Sequence, residues 1–424
     1  MRRRAVWVAC LELILSLLTP LAAPANAVED EPIDLQALEL ERRKRAVLYP
    51  VRRRISRYLE AATKAVDQGK PEEGRALLAR LDPKRLNPYE RALVYRLEAH
   101  LAYFASDYKA AREHFEKVLA EEALPVRDDN RIRFNIAQLH AAAQEWREAL
   151  AALDRWSRYV PEPDPLAFFL RAVAYYQLEE MDAALANAKQ AVDLSSEPLE
   201  GWLGLLAALY TQKEDYASAA PVIEQLVARF PAKPKYWVQL TLIYGALERY
   251  PDALAVQQIA YRQGLLTQDK DLRRLVRSSL HQGTPFWAAH ILQHELEEGK
   301  LERDAPALEM LANSWIAARE YEQSVPALQE AAKLAADGNL YVRLGQVYMQ
   351  REAWPEATEA LQKAIEKGGL KDPGNAQLLL GICYFNDQRV EQARSSFARA
   401  REHASSREAA ARWITHLEEA SGAG

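Results

Sequence analysis

The chain has 424 residues, of which 49% are hydrophobic and 27% charged, and it carries a formal net charge of −5. This mildly acidic balance excludes nucleic-acid binding by bulk electrostatics. Leu, Ala, Glu, Arg and Tyr dominate, glycine occurs only 16 times, and no stretch alternates Val, Ile and Thr. The composition therefore favours an all-α fold.

The first 27 residues predict a cleavable secretory signal. Residues 2–4 are arginines, residues 5–18 are largely apolar, and residues 25–27 read Ala-Asn-Ala, as at a cleavage site. An uncleaved anchor is the alternative, although the apolar run is short for a membrane span. Removal of the signal would change the charge from −5 to −7 and leave Cys383 as the sole cysteine, so no intramolecular disulfide could form. We therefore expect a periplasmic protein without disulfides.

Residues 28–50 are predicted to be a flexible, charged segment. They contain the basic run Arg42-Arg43-Lys44-Arg45, and three more arginines follow at 52–54. Such a run can contact an acidic partner or anionic lipid head groups, which would give a peripheral membrane contact. A solvated first helix is the other interpretation.

Residues 51–403 repeat one helix-pair pattern. In its clearest copy, Trp237, Leu240 and Tyr244 share a helical face with the small Thr241. A small residue opens each second helix, at intervals of 33 to 38 residues: Gly74, Ala111, Ala149, Ala184, Ala219, Ala253, Ala288, Ser324, Ala357 and Ala393. Twelve residues before each lies another compact residue: Ala62, Ala99, Ala137, Ala172, Ala207, Thr241, Val276, Ala312, Gly345 and Gly381. Two registers at this period are typical of tetratricopeptide repeats (TPRs).

These repeats predict an all-α solenoid of about ten TPR helix pairs. One pair cannot bury its own apolar face, so neighbouring pairs must stack and the terminal core needs a cover. Residues 404–424 are predicted to supply it as a capping helix and tail, with Ala410, Trp413 and Leu417 on one helical face.

No residue pattern predicts catalysis, a cofactor or a metal. His290 and His294 have the spacing of two ligands on one helix, but no third ligand is evident. Cys383 lies among apolar residues, where a small core residue is expected. The glycines of residues 368–374 follow no strand and predict a turn, not a phosphate-binding loop.

The candidate binding surface is the groove that the first helices of such an array line. Projecting the repeat register gives these groove residues: Arg96, His100, Tyr103, Phe134, Gln138, Phe169, Tyr176, Arg273, Arg277, Asn313 and Gln346. Aromatic and arginine side chains dominate binding hot spots, and an extended peptide or a helix is the expected ligand. Packing of Phe134 and Phe169 against adjacent helices is the alternative.

Several connecting segments are not dictated by the repeat. They are residues 236–240 (YWVQL), 263–266 (QGLL), 337–345 (DGNLYVRLG) and 367–374 (KGGLKDPG), with Ser405-Ser406-Arg407 and Trp413 near the end. Together they resemble the periplasmic TPR proteins associated with the TonB system. The similarity extends from about Asn87 to Leu417 and is weaker in the basic N-terminal segment.

This resemblance implies an accessory of the TonB–ExbB–ExbD complex, which energises outer-membrane uptake of iron complexes and similar nutrients. An assembly factor for outer-membrane proteins, envelope polysaccharide or pili is the alternative. An enzyme would need an inserted polar segment, for which the even repeat spacing leaves no room. A solute-binding protein would need a deep closed pocket in place of an open groove.

Overall fold

The computed structural model describes residues 33–160 and 162–422. These residues form 22 α-helices and one 3-10 helix (Pro83–Arg85), and they include no β-strand. The chain divides into two compact units, one ending at Arg229 and the other beginning at Phe230, which we call unit 1 and unit 2. The predicted all-α architecture of TPR helix pairs is confirmed.

Unit 1 contains one single helix followed by five helix pairs. The single helix is α1 (Leu35–Leu48), and the pairs are α2 (Arg53–Asp67) with α3 (Pro71–Leu78), α4 (Pro88–Phe104) with α5 (Tyr108–Ala120), α6 (Val126–Ala142) with α7 (Trp146–Ser157), α8 (Pro165–Gln177) with α9 (Met181–Asp193), and α10 (Glu200–Gln212) with α11 (Tyr216–Arg229).

Unit 2 contains five helix pairs followed by one single helix. The pairs are α12 (Pro234–Ala246) with α13 (Tyr250–Arg262), α14 (Asp269–His281) with α15 (Pro285–Glu297), α16 (Ala305–Ala317) with α17 (Tyr321–Leu334), α18 (Asn339–Gln350) with α19 (Trp354–Lys367), and α20 (Pro373–Asn386) with α21 (Val390–Arg401), before the single helix α22 (Arg407–Gly422).

The small residues of the repeat lie where the two helices of each pair pack together. All twenty small or compact positions predicted from the two registers are buried. Small side chains allow the two backbones to approach, and the larger apolar residues beside them fill the space towards the next pair. Both predicted registers are therefore confirmed.

The two helices of every pair are joined by a turn of one conformation. The turn contains one residue with positive φ, and the ten are Gly69, Ser106, Gln144, Glu179, Glu214, Glu248, Gly283, Arg319, Glu352 and Gln388. The next residue donates its N–H to a carbonyl five residues earlier, as Lys70 does to Ala65 and Arg389 does to Tyr384. This bond ends the first helix as in a Schellman motif.

The two ends of the chain differ in how they match the prediction. The described part of residues 28–50, predicted to be flexible, contains α1, and the Asp34 carboxylate accepts hydrogen bonds from the N–H groups of Gln36 and Ala37 in its first turn. The predicted signal, residues 1–27, lies outside the described residues. At the other end α22 covers the last pair, where the Trp413 ring stacks on Phe397 with 5.5 Å between centroids.

Candidate partner-binding site

The first helices of the three N-terminal pairs border a cavity of about 1350 Å³ within unit 1. Side chains of α2, α4 and α6 form most of its wall, and α1 and the connection between α7 and α8 complete it. We call it the unit 1 cavity. Its position on the first helices is where the repeat register predicts a groove.

Five of the predicted groove residues line the unit 1 cavity together. They are Arg96, His100, Tyr103, Phe134 and Gln138. The first three lie on α4 and the other two on α6. These two helices are equivalent members of successive pairs, so equal offsets from the small residues Ala99 and Ala137 place side chains on one surface.

Aromatic rings form two patches on the cavity wall. Phe134 packs on Trp156 with ring centroids 5.0 Å apart, and Tyr103 packs edge-on against Phe104 at 5.9 Å. The Phe104 side chain remains 64% exposed, so it presents an apolar face to solvent at the cavity. Exposed aromatic rings of this kind provide large contact area at low conformational cost to a binding site.

The cavity wall also carries cationic side chains. Arg96 and Arg127 both line it, and neither forms an ion pair with any other residue that the structure describes. Between α4 and α5, His100 packs edge-on against Phe115 at 5.8 Å. Desolvation, and then the nearby Arg96 charge, lower the pKa of His100.

Helix α1 contacts the start of α6 through two polar side chains, of which Glu39 also lines the cavity. The Glu39 carboxylate accepts a hydrogen bond of 3.0 Å from the N–H of Val126, the first residue of α6. One turn further along α6, Asp129 Oδ2 lies 3.2 Å from Arg42 Nη2, with both side chains buried. A carboxylate at a helix N-terminus and an opposite charge beside a buried carboxylate are each favourable.

The Asp129 carboxyl has a perturbed pKa because its side chain is buried. Burial is the largest effect, and despite the opposing charges of Arg42 and Arg133 it raises the pKa of this carboxyl to about 6. The Arg133 guanidinium lies 3.8 Å from the centroid of the Tyr159 ring, which the cavity also exposes. The first turn of α6, beside the cavity, thus holds a buried carboxyl with a raised pKa.

Two predicted groove residues of unit 1 lie elsewhere. Phe169 has the same register as Arg96 and Phe134, but it is only 2% exposed and its ring stacks on Trp202 of α10 at 5.6 Å. Its assignment to the groove is wrong, because the large ring of the next pair covers it. Tyr176 is half-buried and does not line the unit 1 cavity.

The four predicted groove residues of unit 2 do not form a comparable cluster. Arg273 donates to both oxygens of Asp269, at 2.9 and 2.7 Å, and also lies 3.6 Å from Asp304. Its charge is therefore balanced within the unit and is not free for a partner. Arg277 and Gln346 are exposed and Asn313 is half-buried.

The basic N-terminal run is less available than the sequence indicates. Arg42 is 5% exposed in its pair with Asp129, and Arg43 pairs with Glu39 at 3.2 Å on its own helix. Lys44 is exposed. The interpretation of the run as a uniformly solvated surface or lipid contact is therefore wrong for Arg42. Within the described residues, no helix combines the length and apolar character that crossing a membrane requires.

Several cavity residues were missed by the repeat register. Trp156 and Tyr159 come from the end of a second helix and the turn after it, and Glu39 comes from outside the repeats. The register projects only first-helix positions, so it carries no signal for them. Beside the cavity, Asp128 and Asp129 in the first turn of α6 are a typical helix-start pattern, from which the burial of Asp129 could not be predicted.

The other candidate chemistry is accounted for by packing. His290 lies between the rings of Phe286 and Trp315, at 4.4 and 5.1 Å. Cys383 is fully buried, and burial raises the pKa of its thiol to about 12, so it is a core residue as predicted. The part of the chain that the structure describes holds no group of three or more His, Cys, Asp or Glu side chains arranged for a metal.

The sequence matches the family model of the tetratricopeptide repeat in five stretches, of which the first two and the last two overlap. They are residues 96–159, 134–198, 205–264, 309–371 and 342–411, which together exceed half of the chain. The chain belongs to the tetratricopeptide-repeat family. The matching model describes a protein-interaction repeat, not a catalytic domain. No curated protein matches the sequence at a significant level.

Solved TPR structures are similar to this chain only at the level of the repeat. A TPR protein from Parabacteroides merdae shares 14% identity and has a TM-score of 0.35, with 69% of this chain and 99% of that one covered. YrrB, described as a TPR protein with an unusual peptide-binding site, shares 14% identity at a TM-score of 0.37, with coverage of 46% and 97%. The TPR2AB domain of yeast Sti1 shares 17% identity at a TM-score of 0.31, with coverage of 60% and 96%. At these scores the similarity carries no argument about function.

Proposed function

We propose that this TPR protein is an exported, non-catalytic adaptor whose unit 1 cavity binds a segment of a protein partner. The observation that carries the proposal is the cavity itself. It combines the exposed ring of Phe104 with the unpaired guanidinium groups of Arg96 and Arg127, on a family scaffold that mediates protein–protein interaction.

The dimensions of the cavity favour a polypeptide over a small solute. Pockets for small molecules are typically about 300–1,000 Å³, and the unit 1 cavity, at about 1350 Å³, exceeds that range. Its wall also extends along three successive helix pairs, which suits an extended or helical ligand. This feature favours a peptide-binding adaptor over the solute-binding protein considered above.

For the partner, we propose a component of the TonB–ExbB–ExbD system in the periplasm. The support is the export pattern of residues 1–27 and the resemblance of the connecting segments at 236–240, 337–345 and 367–374 to periplasmic TonB-associated TPR proteins. Factors that assemble outer-membrane proteins, polysaccharide or pili are the competing partners.

Photo-crosslinking in the intact envelope tests the adaptor and its partner at once. A photoreactive amino acid replaces Phe104 at the cavity, and a matched chain carries it at the exposed Gln346 of unit 2. We expect Phe104 to capture TonB-system proteins and Gln346 not to. Combined Arg96→Glu/Arg127→Glu substitution should abolish the Phe104 crosslink, whereas Arg277→Glu, which changes an exposed arginine outside the cavity, should not.

The outcomes separate the parts of the proposal. Capture of assembly factors without TonB-system proteins would overturn the partner and keep the adaptor. Equal crosslinking from both positions, or no effect of the Arg96/Arg127 variant, would overturn the cavity as the site. Recovery of the chain only from the cytoplasmic fraction would overturn export.

A further inference from the structure

Within unit 1, helix α1 contacts α6 through two polar side chains, Glu39 and Arg42. Among its side chains that the structure describes, residues 35–44, Arg42 alone is buried, and Leu40 is 56% exposed. Leu35 and Leu38 are only partly buried, so the part of α1 whose side chains the structure describes gains less from the hydrophobic effect than a helix with a fully buried apolar face. Glu39 and Arg42 therefore contribute much to the position of the described part of α1.

These two residues occupy two distinct polar features of α6. Glu39 accepts from the Val126 N–H at 3.0 Å, where the preceding Pro125 offers no side-chain cap. Arg42 lies against Asp129, which is 1% exposed. The site therefore provides a helix N-terminus for a carboxylate and, one turn away, a buried carboxylate for a cation.

The pair between Arg42 and Asp129 is imperfect. The closest approach is 3.2 Å, yet neither Asp129 oxygen nor Arg42 Nη1 has a hydrogen-bond partner within the described structure. An arginine aligned with a carboxylate forms two parallel hydrogen bonds, and buried polar atoms without them cost free energy. A better aligned guanidinium would therefore be preferred at this position.

From these observations we infer that α1 is an exchangeable occupant of the surface at the start of α6, beside the unit 1 cavity. A partner displaces it with a helical segment of its own that carries a carboxylate and, three residues later, an arginine. The carboxylate takes the place of Glu39 at the α6 N-terminus and the arginine takes the place of Arg42 against Asp129. The aromatic patches at Phe104 and Phe134 receive the apolar face of that segment.

The short connection between α1 and α2 explains why α1 remains bound although its Arg42–Asp129 ion pair is imperfect. Only four residues, 49–52, separate α1 from α2, so its effective concentration at the site is on the order of millimolar. A partner must exceed this intramolecular competition, which makes α1 a filter against weak ligands. The inference rests on the proposed function only in taking the cavity as a site for protein segments.

A peptide of residues 33–50, labelled with fluorescein, serves as the probe. Fluorescence anisotropy measures its binding to the purified chain and to a Glu39→Ala/Arg42→Ala chain, in which α1 has lost both contacts but the α6 residues Val126 and Asp129 are unchanged. We expect the peptide to bind the double variant at least about tenfold more tightly than the wild type, because its site is vacated. The peptide with Arg42→Ala should lose binding, whereas the peptide with Lys44→Ala, a matched exposed cation, should not.

A second measurement uses the unaltered chain. Excess peptide should accelerate amide hydrogen exchange in α1 and leave unit 2 unchanged. Equal peptide affinity for the two chains, no binding to the double variant, or no change in α1 exchange would each overturn the inference. Because no envelope protein takes part, these results stand apart from the crosslinking outcome.

Discussion

Unit 1 and unit 2 are both built from five helix pairs, but they use equivalent positions differently. In unit 1, residues projecting from the first helices remain available at a cavity, among them Arg96 and Phe134. In unit 2 the corresponding Arg273 is neutralised by Asp269 and Asp304. One repeat therefore supports either an open binding surface or a self-satisfied one, depending on the side chains that the neighbouring pair provides.

The units also differ in how closely their helices approach. The five small first-helix positions of unit 1 are all alanine, whereas unit 2 has Gly345 and Gly381. A Cβ at Gly381 would lie 2.5 Å from Phe397 Cε1, and one at Gly345 would lie 2.7 Å from Leu361 Cγ. The helices of the last two pairs therefore approach too closely for a Cβ at these two positions.

The largest change in stability is expected at Phe169, which was predicted to line the groove but is part of the core. Phe169→Ala removes a ring that is 2% exposed and stacked on Trp202, so it should lower the free energy of unfolding by about 3–5 kcal/mol. Phe104→Ala, which truncates a 64% exposed ring, should stay within about 0.5 kcal/mol. Urea denaturation measures the free energy of unfolding of both variants, and hydrogen exchange shows whether the unfolding occurs in unit 1. Similar losses of stability in the two variants would contradict the assignment of Phe169 to the core.

A pH-dependent effect is expected in unit 1 from Asp129. Its pKa is about 6 when folded and 3.8 ordinarily, so between those values the folded state holds the proton more tightly and stability falls as pH rises. At about 1.4 kcal/mol per pKa unit, the loss approaches 3 kcal/mol by pH 7. Asp129→Asn should match the wild type near pH 3.5 and be more stable at pH 7.

The control for this effect is Asp128→Asn, which changes a partly exposed neighbour in the same turn of α6. Denaturation series at several pH values should show the pH-dependent difference for Asp129→Asn alone. An Asp129→Asn chain that is equally or less stable than the wild type across the whole range would show that Arg42 compensates the buried charge fully.

The packing difference predicts that a glycine-to-alanine substitution destabilises unit 2 at one position and stabilises unit 1 at another. Gly381→Ala should destabilise unit 2 by about 1–3 kcal/mol, because Phe397 is fully buried against Trp413 and cannot move away. Gly204→Ala in α10 has no atom within 4 Å of the added Cβ and should stabilise unit 1 by up to about 1 kcal/mol. Hydrogen exchange resolved by helix measures each; stabilisation by both would show that the close contact relaxes freely.

The smallest change in stability is expected from glycine substitutions in the repeated turn, and it should be equal in the two units. Gln144 and Gln388 occupy the positive-φ position of the repeated turn, with φ of 63° and 60°. Replacing either residue with glycine removes a backbone strain of about 1–2 kcal/mol from the folded state. Glycine also raises the conformational entropy of the unfolded chain, which offsets roughly 0.5–1 kcal/mol of that gain. A net gain of about 0.5 kcal/mol is expected in thermal unfolding. Unequal gains would indicate that the turn is not equivalent in the two units.

The sequence alone was sufficient to predict the helix pairs because their register depends on the sizes of side chains at fixed positions along the chain. A helix pair approaches closely only if small residues recur at fixed offsets, and this requirement is visible along the chain without knowledge of the neighbours. All twenty such positions are buried, including the unusual Thr241 and Ser324. The capping role of α22 follows from the same argument, since a terminal core must be covered.

The binding site depended on contacts between pairs, which only the tertiary structure decided. Arg96, Phe134 and Phe169 have the same register, yet Trp202 covers the third and leaves the other two at the cavity. Arg42 belongs to a charged run that is solvated in most proteins, but Asp129 lies opposite it from 87 residues further along the chain. Periodicity fixes which face of a helix a residue occupies, whereas burial and charge pairing depend on what lies across from that face.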